Sequence, residues 1–259
     1  MPESPKLNIG IFYFDLSTIS MFIITGVILF IIARLAVRNL SVENPSKLQN
    51  VMEWVVEFVH GMVASTMPLH IGKRFISIAL ALILFIFIAN LLGLPFAIIT
   101  KHTEEVTLFG YTLVSQETID KWLAKDGYDH APVLWWKSPT ADLSVTLGLA
   151  LVTFFLIHYN GLKLNRTHYL RHYIEPYPIF LPLNIIKEIF KPLTLGLRLF
   201  ANILAGEIMI KVIIMAGIFG IPFLMAWQGF SIFIGGLQAF VFVILSMVYI
   251  AQATVHEEQ

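Results

Sequence analysis

The sequence predicts an all-α integral membrane protein with about five membrane helices plus a surface amphipathic helix. Three observations carry that prediction. Hydrophobic residues make up 57% of the 259 and charged residues only 13%, against about a quarter charged in soluble domains. Mean hydropathy is +0.78. Apolar stretches of about 20 residues recur along the chain, the length a helix needs to cross a hydrocarbon layer of roughly 30 Å. With 17 basic and 17 acidic residues there is no basic field to attract nucleic acid. Cysteine is absent, which excludes disulfides and thiolate metal sites. The chain reads as one membrane domain without a cofactor.

Taken in order, the start Met1-Pro2-Glu3-Ser4-Pro5 lacks the basic region of a signal peptide, so the first apolar stretch, 17–36, is expected to stay as a span. Arg34 and Arg38 close it on a basic, hence inner, flank, which leaves the N-terminus outside. Residues 45–66 place Leu48, Val51, Val55, Phe58 and Met62 at helical spacing opposite Gln49, Glu53, Glu57 and His60. This predicts an amphipathic helix on the inner surface, with a soluble linker helix as the plainer reading. Lys73 and Arg74 introduce a second span, 75–99. The external loop 100–140 is rich in acids and poor in lysine, and it ends on the interfacial pair Trp135-Trp136. A third span, 141–162, returns to the basic flank Lys163, Arg166 and Arg171, with His158, His168 and His172 read as inner interfacial residues.

The last third differs in scale. A helical pattern introduced by Pro178 and Pro182 runs over 178–217, roughly 60 Å at 1.5 Å per residue, so this helix must tilt steeply or lie partly along the membrane. Gly217, Gly220 and Pro222 supply turn chemistry, and a second long helix follows over 222–254. An antiparallel hairpin with both ends inside results, and Glu257 and Glu258 close the chain.

Arg198 stands in the middle of this hairpin, in Leu195-Gly196-Leu197-Arg198-Leu199-Phe200-Ala201-Asn202. A guanidinium at bilayer depth costs roughly 2.5 to 3.5 kcal/mol on insertion scales, and it cannot lose its proton to escape that cost. At 100° per residue, Lys187, Lys191, Thr194, Arg198 and Asn202 fall within about 40° of one line. Glu207 falls on the opposite face, roughly 13 Å further along, which removes it as a salt-bridge partner on a regular helix. On the second helix Ser231, Gln238, Tyr249 and Gln252 share a stripe, and folding at the turn sets Gln238 level with Asn202 and Arg198, with Ser231 nearer Glu207. Gly196, Ala201, Ala205 and Gly206 would admit another helix closely. A buried charge needs a partner, and the simplest supplier is another subunit.

The segment from Leu195 to Glu207 closely resembles the a subunit of F-type ATP synthases, specifically in Arg198 with Asn202 and Glu207 beyond it. The resemblance extends to Gln238-Ala239-Phe240 with Tyr249 downstream, to Phe87-Ile88-Ala89-Asn90-Leu91 and to Pro139-Thr140-Ala141-Asp142, and so covers most of the chain. The long external loop and short N-terminus look bacterial, implying a plasma-membrane protein. The resemblance implies a stator subunit whose long tilted hairpin faces a rotor ring of small acidic hairpin subunits (the c ring), with peripheral-stalk b subunits and, indirectly, the catalytic sector as further partners alongside lipid. It implies two offset half-channels, with Arg198 essential at their junction. Glu207, Asn90, Asp142 and Ser231 map to the outer path and Asn202 and Gln238 to the junction, while Tyr249, Thr194, Lys187 and Lys191 are inner-path candidates by position. Many relatives carry a titratable residue at the position of Ser231; here serine cannot titrate, and ordered water is expected to complete the path.

Plainer readings compete at each site. Glu207 could pair with Lys211 four residues on, Asp142 could cap its helix, and Asn90, Asn202 and Gln238 could be interhelical glue. Lys187 and Lys191 could snorkel toward lipid. A proton-coupled secondary transporter or channel is the alternative function, but no internal repeat of the kind such folds use is visible. No Walker-type glycine-rich loop is present either, so nucleotide chemistry is assigned to partner subunits.

Overall fold

A computed structural model describes residues 4–9, 12–94, 98–108, 111–124, 129–164, 166, 169, 173–174 and 177–254. His168, His172, Arg171, Glu257 and Glu258 lie outside the described residues. The chain opens with an antiparallel hairpin, β1 (Lys6–Ile9) and β2 (Phe12–Asp15), which pairs Lys6 with Asp15. Asp15 then caps α1 (Leu16–Ala36) by accepting a 3.1 Å hydrogen bond from the Thr18 amide, the usual use of an aspartate ahead of a helix. Ser46 does the same for α2 (Lys47–Thr66), accepting from the Gln49 amide at 3.1 Å. The inward face of α2 differs from the expected one: Val59, Met62 and Val63 are buried together with Gln49, whereas Val51 and Phe58 of the expected apolar stripe are exposed, because packing against neighbouring helices and not periodicity alone sets which face turns in. The buried face packs on the helices Ile76–Leu92 and Gly220–Thr254.

After a single turn, α3 (Leu69–Gly72), comes α4 (Ile76–Leu92), apolar all round, with Ala79, Ile83, Ile86, Ala89 and Asn90 turned inward. The expected external loop carries structure of its own. Strand β3 (Ile99–His102) pairs with β6 (Ala131–Leu134), β4 (Val106–Leu108) pairs with β5 (Tyr111–Val114), and α5 (Gln116–Leu123) lies between. Val114, Ile119, Trp122, Ala131 and Val133 form a small core separate from the main one. These strands have three or four residues each, too short for an alternation to stand out in a sequence.

A 3₁₀ turn at Pro139–Ala141 leads into α6 (Leu143–Leu164). Another, at Pro178–Phe180, leads into α7 (Leu181–Met215), 35 residues long. Pro192 lies inside α7, a residue the helical reading of 178–217 does not account for. Its missing N–H deprives the Glu188 carbonyl of its helical donor, while the Thr194 hydroxyl donates at 2.9 Å to the Phe190 and Lys191 carbonyls nearby. The helix continues through it.

The turn Gly217–Phe219 and α8 (Gly220–Thr254) complete the hairpin. Helix α8 thus begins at Gly220, two residues before the expected Pro222. Its C-terminal half is the spine of the molecule: Ala239, Phe242, Val243, Met247 and Ile250 are buried against α4, α6 and α2. Its N-terminal half is largely exposed, as are Met215, Ile218 and Phe219 at the tip. Helices α1, α6 and α8 are long and apolar enough to cross a membrane, and α4 is a shorter apolar helix. Helix α7 has the length but carries Lys187, Glu188, Lys191, Arg198, Glu207 and Lys211. The architecture is that of an all-α membrane protein with a small α/β elaboration between α4 and α6.

Candidate functional site

The apolar helices bring polar side chains together in three places. The outermost helical site is a cavity of about 90 Å³ between α4, α7, α8 and the turn before α6, lined by Asn90, Ser138, Asn202, Glu207, Trp227 and Ser231. It has room for several waters, since about 10 to 15 Å³ of such space admits one. Four of the residues expected on the proton path therefore share one cavity. Asn202, expected beside Gln238 around Arg198, faces this cavity instead. Helical angle counts order residues on one helix but do not fix how a neighbouring helix is rotated against it.

Asn90 is the hub of the cavity's wall. At 2% exposure, its Nδ2 donates to the Gly235 carbonyl at 3.0 Å and its Oδ1 accepts from Thr140 Oγ1 at 2.7 Å. Ser138 Oγ lies 2.6 Å from the Thr140 hydroxyl and donates to the Ala89 carbonyl at 2.8 Å. One carboxamide thus ties α4 to α8 and to the turn before α6. Across the cavity, Trp227 Nε1 donates to the Gly206 carbonyl at 3.4 Å, next to Glu207. Among the described residues Glu207 makes no ion pair, with Lys211 or any other group.

Asp142 does not line that cavity. Its Oδ1 accepts from the Ser144 amide at 2.8 Å, capping α6, and its Oδ2 accepts from Thr18 Oγ1 at 3.2 Å. Lys137 Nζ lies 2.6 Å from Asp15 Oδ2 and 3.8 Å from Asp142 Oδ2. Burial works to raise the Asp15 carboxyl, but the hydrogen bond and charge of Lys137, with Ser4 and the Thr18 amide, hold it below the ordinary aspartate value.

The second place is the open face of α7. Arg198 is exposed there, as are Thr194, Ala201 and Ala205, and the guanidinium makes no hydrogen bond or salt bridge among the described residues. The small residues around it serve two sides. Gly196 faces α6, where a Cβ would fall 2.9 Å from Leu147 Cδ2, while Ala201 and Ala205 leave the arginine's side uncovered. Gln238 sits on α8 at 6% exposure with no hydrogen-bond partner among the described residues.

The third place, between the first half of α7 and the end of α8, was legible in the sequence only through Tyr249 and Lys191. Glu188, buried on α7, pairs with Lys191, whose ammonium stands 5.1 Å from the centroid of the Tyr249 ring. The only signal for Glu188 was its spacing three residues before Lys191, a common surface pairing on helices. Nearby, Tyr169 and Tyr173 hydroxyls lie 2.6 Å apart. Burial raises both phenols; the Tyr173 hydrogen bond and charge and the Glu188 charge add to this at Tyr169, and at Tyr173 the Glu188 charge adds while the Tyr169 hydrogen bond opposes. Both stay neutral.

Fold and sites together define a multi-pass helical membrane protein with a polar cavity and, on the open face of α7, an arginine without a partner among the described residues. Comparison with known proteins sharpens this class. The family described as ATP synthase A chain matches residues 18–251. The chain is similar to ATP synthase subunit a of Anoxybacillus flavithermus, 42% identical over 253 residues and 94% of each chain. It is also similar to the subunits of the same name from Macrococcus caseolyticus, 42% identical over 262 residues and 96% of each chain, and Staphylococcus aureus, 38% identical over 270 residues and 98% of each chain. The chain belongs to the ATP synthase A chain family, the multi-pass membrane subunit that works in a complex with the other ATP synthase subunits.

Proposed function

We propose that this subunit is the proton-conducting stator of the rotary motor, with two offset half-channels that pass protons to and from carboxylates on a ring of small hairpin subunits. The observation that carries the reading is Arg198: an exposed guanidinium on the open face of α7, without a partner among the described residues. A carboxylate brought within a few ångströms of a fixed positive charge is favoured in its ionised form, so a ring carboxyl gives up its proton on arrival. The same charge repels a proton hopping directly between half-channels, and net transfer then requires rotation. The membrane potential, worth about 2.3 kcal/mol per charge per 100 mV, supplies the drive.

In this reading the cavity around Glu207 belongs to the outer path, with Glu207 as the titrating relay and Asn90, Asn202 and Ser231 as its polar wall. Asp142 serves that path indirectly, by fixing the start of α6. Gln238 stands at the junction with Arg198, and Tyr249 on the inner path. The ring lies against α7 and α8, peripheral-stalk b subunits anchor the stator, and the N-terminus lies outside a bacterial plasma membrane with the C-terminus in the cytoplasm. In vesicles bearing the assembled complex, Arg198→Ala is expected to abolish ATP-driven proton pumping, and pumping at the wild-type level would overturn the reading.

A further inference from the structure

The inner end holds a buried carboxylate and a series of hydroxyls that the reading above leaves without a task. Glu188 is 8% exposed and pairs with Lys191. A cavity of about 10 Å³ lined by Glu188, Lys191, Tyr169, Tyr249 and Gln252 lies beside them, room for about one water. Tyr169 rests on Gly161, where a Cβ would fall 2.7 Å from its ring. Its hydroxyl is 2.6 Å from that of Tyr173, which is 3.3 Å from His158 Nε2.

The direction of these hydrogen bonds is fixed at one end. A carbonyl oxygen only accepts, so the 2.9 Å contact between His158 Nδ1 and the Phe154 carbonyl places the imidazole proton on Nδ1. Nε2 of the neutral ring is then an acceptor. Tyr173 donates to it, Tyr169 donates to Tyr173, and the Tyr169 oxygen keeps its lone pairs for the Glu188 cavity. At its Tyr169 end the series lies beside a buried acid.

We propose that His158, Tyr173 and Tyr169 form a hydrogen-bonded relay that carries protons between Glu188 and the inner surface, with Glu188 as the titrating carboxylate of the inner path. The proposal rests on the chain being the proton-conducting stator. A proton reaching Glu188 displaces its ion pair with Lys191. The carboxyl O–H then breaks as its proton passes, through one water, to the Tyr169 oxygen. The original Tyr169 proton moves to Tyr173, and that of Tyr173 to His158 Nε2. One proton has moved, Glu188 is again an anion paired with Lys191, neither tyrosine has ionised, and His158 is an imidazolium. Half-buried His158 loses the proton to water and the two hydroxyls rotate back. Among the described residues, the titratable and charged groups facing Glu188 are Lys191 on its own helix, Tyr169 and Tyr173 from the segment after α6, and Tyr249 from α8; His158 reaches it from α6 through Tyr173.

The test uses the assembled complex in vesicles with the inner face accessible, reading initial proton flux against inner-side pH. The pair Glu188→Gln with Lys191→Gln, which leaves no buried lysine unpaired, is expected to slow flux on the order of a hundredfold, the lower range for a positioned proton-transfer group. His158→Gln keeps hydrogen-bonding capacity but cannot take up a proton, and is expected to slow flux and flatten its dependence on inner-side pH. Tyr169→Phe should give the same flattening. Wild-type rates in the paired variant together with a wild-type pH profile in His158→Gln would overturn the relay, and if the paired variant fails to assemble the His158→Gln profile decides alone. Arg198→Ala measured alongside separates the two ideas: wild-type pumping in it overturns the stator reading, whereas its loss with unaltered relay variants overturns the relay alone.

Discussion

Asn90 shows how a polar side chain in an apolar helix can be tested for two roles at once. Its carboxamide donates to one helix and accepts from a turn, and the residue is almost wholly buried. Asn90→Ala removes both bonds and leaves the Thr140 hydroxyl with only Ser138. The expected loss is about 1 to 2 kcal/mol for a buried hydrogen-bonded group, or roughly 2 to 8 °C in unfolding temperature for a chain of this size. A melt of the detergent-solubilised protein unchanged from wild type would show that the tie is not structural. Glu207 differs: no described residue pairs with it, so Glu207→Gln is expected to leave the melt unchanged while slowing transport, and equal rates across pH would remove it as a relay. The sequence displayed both residues as polar groups in apolar surroundings. It could not display Asn90's partners, because Thr140 and Gly235 lie 50 and 145 positions away. Glu188 escaped for another reason: between lysines at 187 and 191 it looks like one more charge on a solvated face.

At the scale of elements, the hairpin of α7 and α8 depends on a turn that two glycines make by different means. Gly217 has φ of +61°, a left-handed conformation that costs L-residues roughly 1 to 2 kcal/mol. Gly220 has an ordinary φ, but a Cβ there would fall 2.3 Å from the Ile213 carbonyl oxygen. No backbone atom can yield that distance without moving the last turn of α7. Gly220→Ala is therefore expected to destabilise more than Gly217→Ala, read as the drop in unfolding temperature, and the reverse order would contradict the close approach at the turn. Turn chemistry at 217–222 was plain in the sequence, as were the long helices on either side, since apolar runs and Gly-Pro punctuation are local signals. The external strands were not, because their pairings join β3 to β6 across about thirty residues and each strand is too short to show a period.

At the scale of the molecule, three separate parts of the chain converge on Lys137. Asp15 belongs to the junction of the N-terminal hairpin with α1, Lys137 to the end of the external region, and Asp142 to the start of α6. Strand β1 also lies against β5, so the hairpin, the external region and the helices are joined by contact as well as charge. The Asp15 carboxyl is held below its unfolded value despite burial, because Lys137 favours the anion. A depressed folded-state value means that the unfolded chain binds the proton more tightly, so the clamp's stabilisation is fully present above the ordinary aspartate value of about 3.9 and is lost as pH falls through the lowered one. Amide exchange at residues 6–15, measured on the solubilised protein, is thus expected to quicken relative to the helical core as pH is lowered from about 5 to about 3, after correction for the intrinsic rate. Asp15→Asn removes the titration while keeping a hydrogen-bond acceptor for Lys137 and Thr18. It is expected to exchange faster than wild type at the upper pH and to show no further loss at the lower one. An acid dependence in that variant equal to wild type's would assign the effect to another carboxylate and leave Lys137 without the organising role its distances give it.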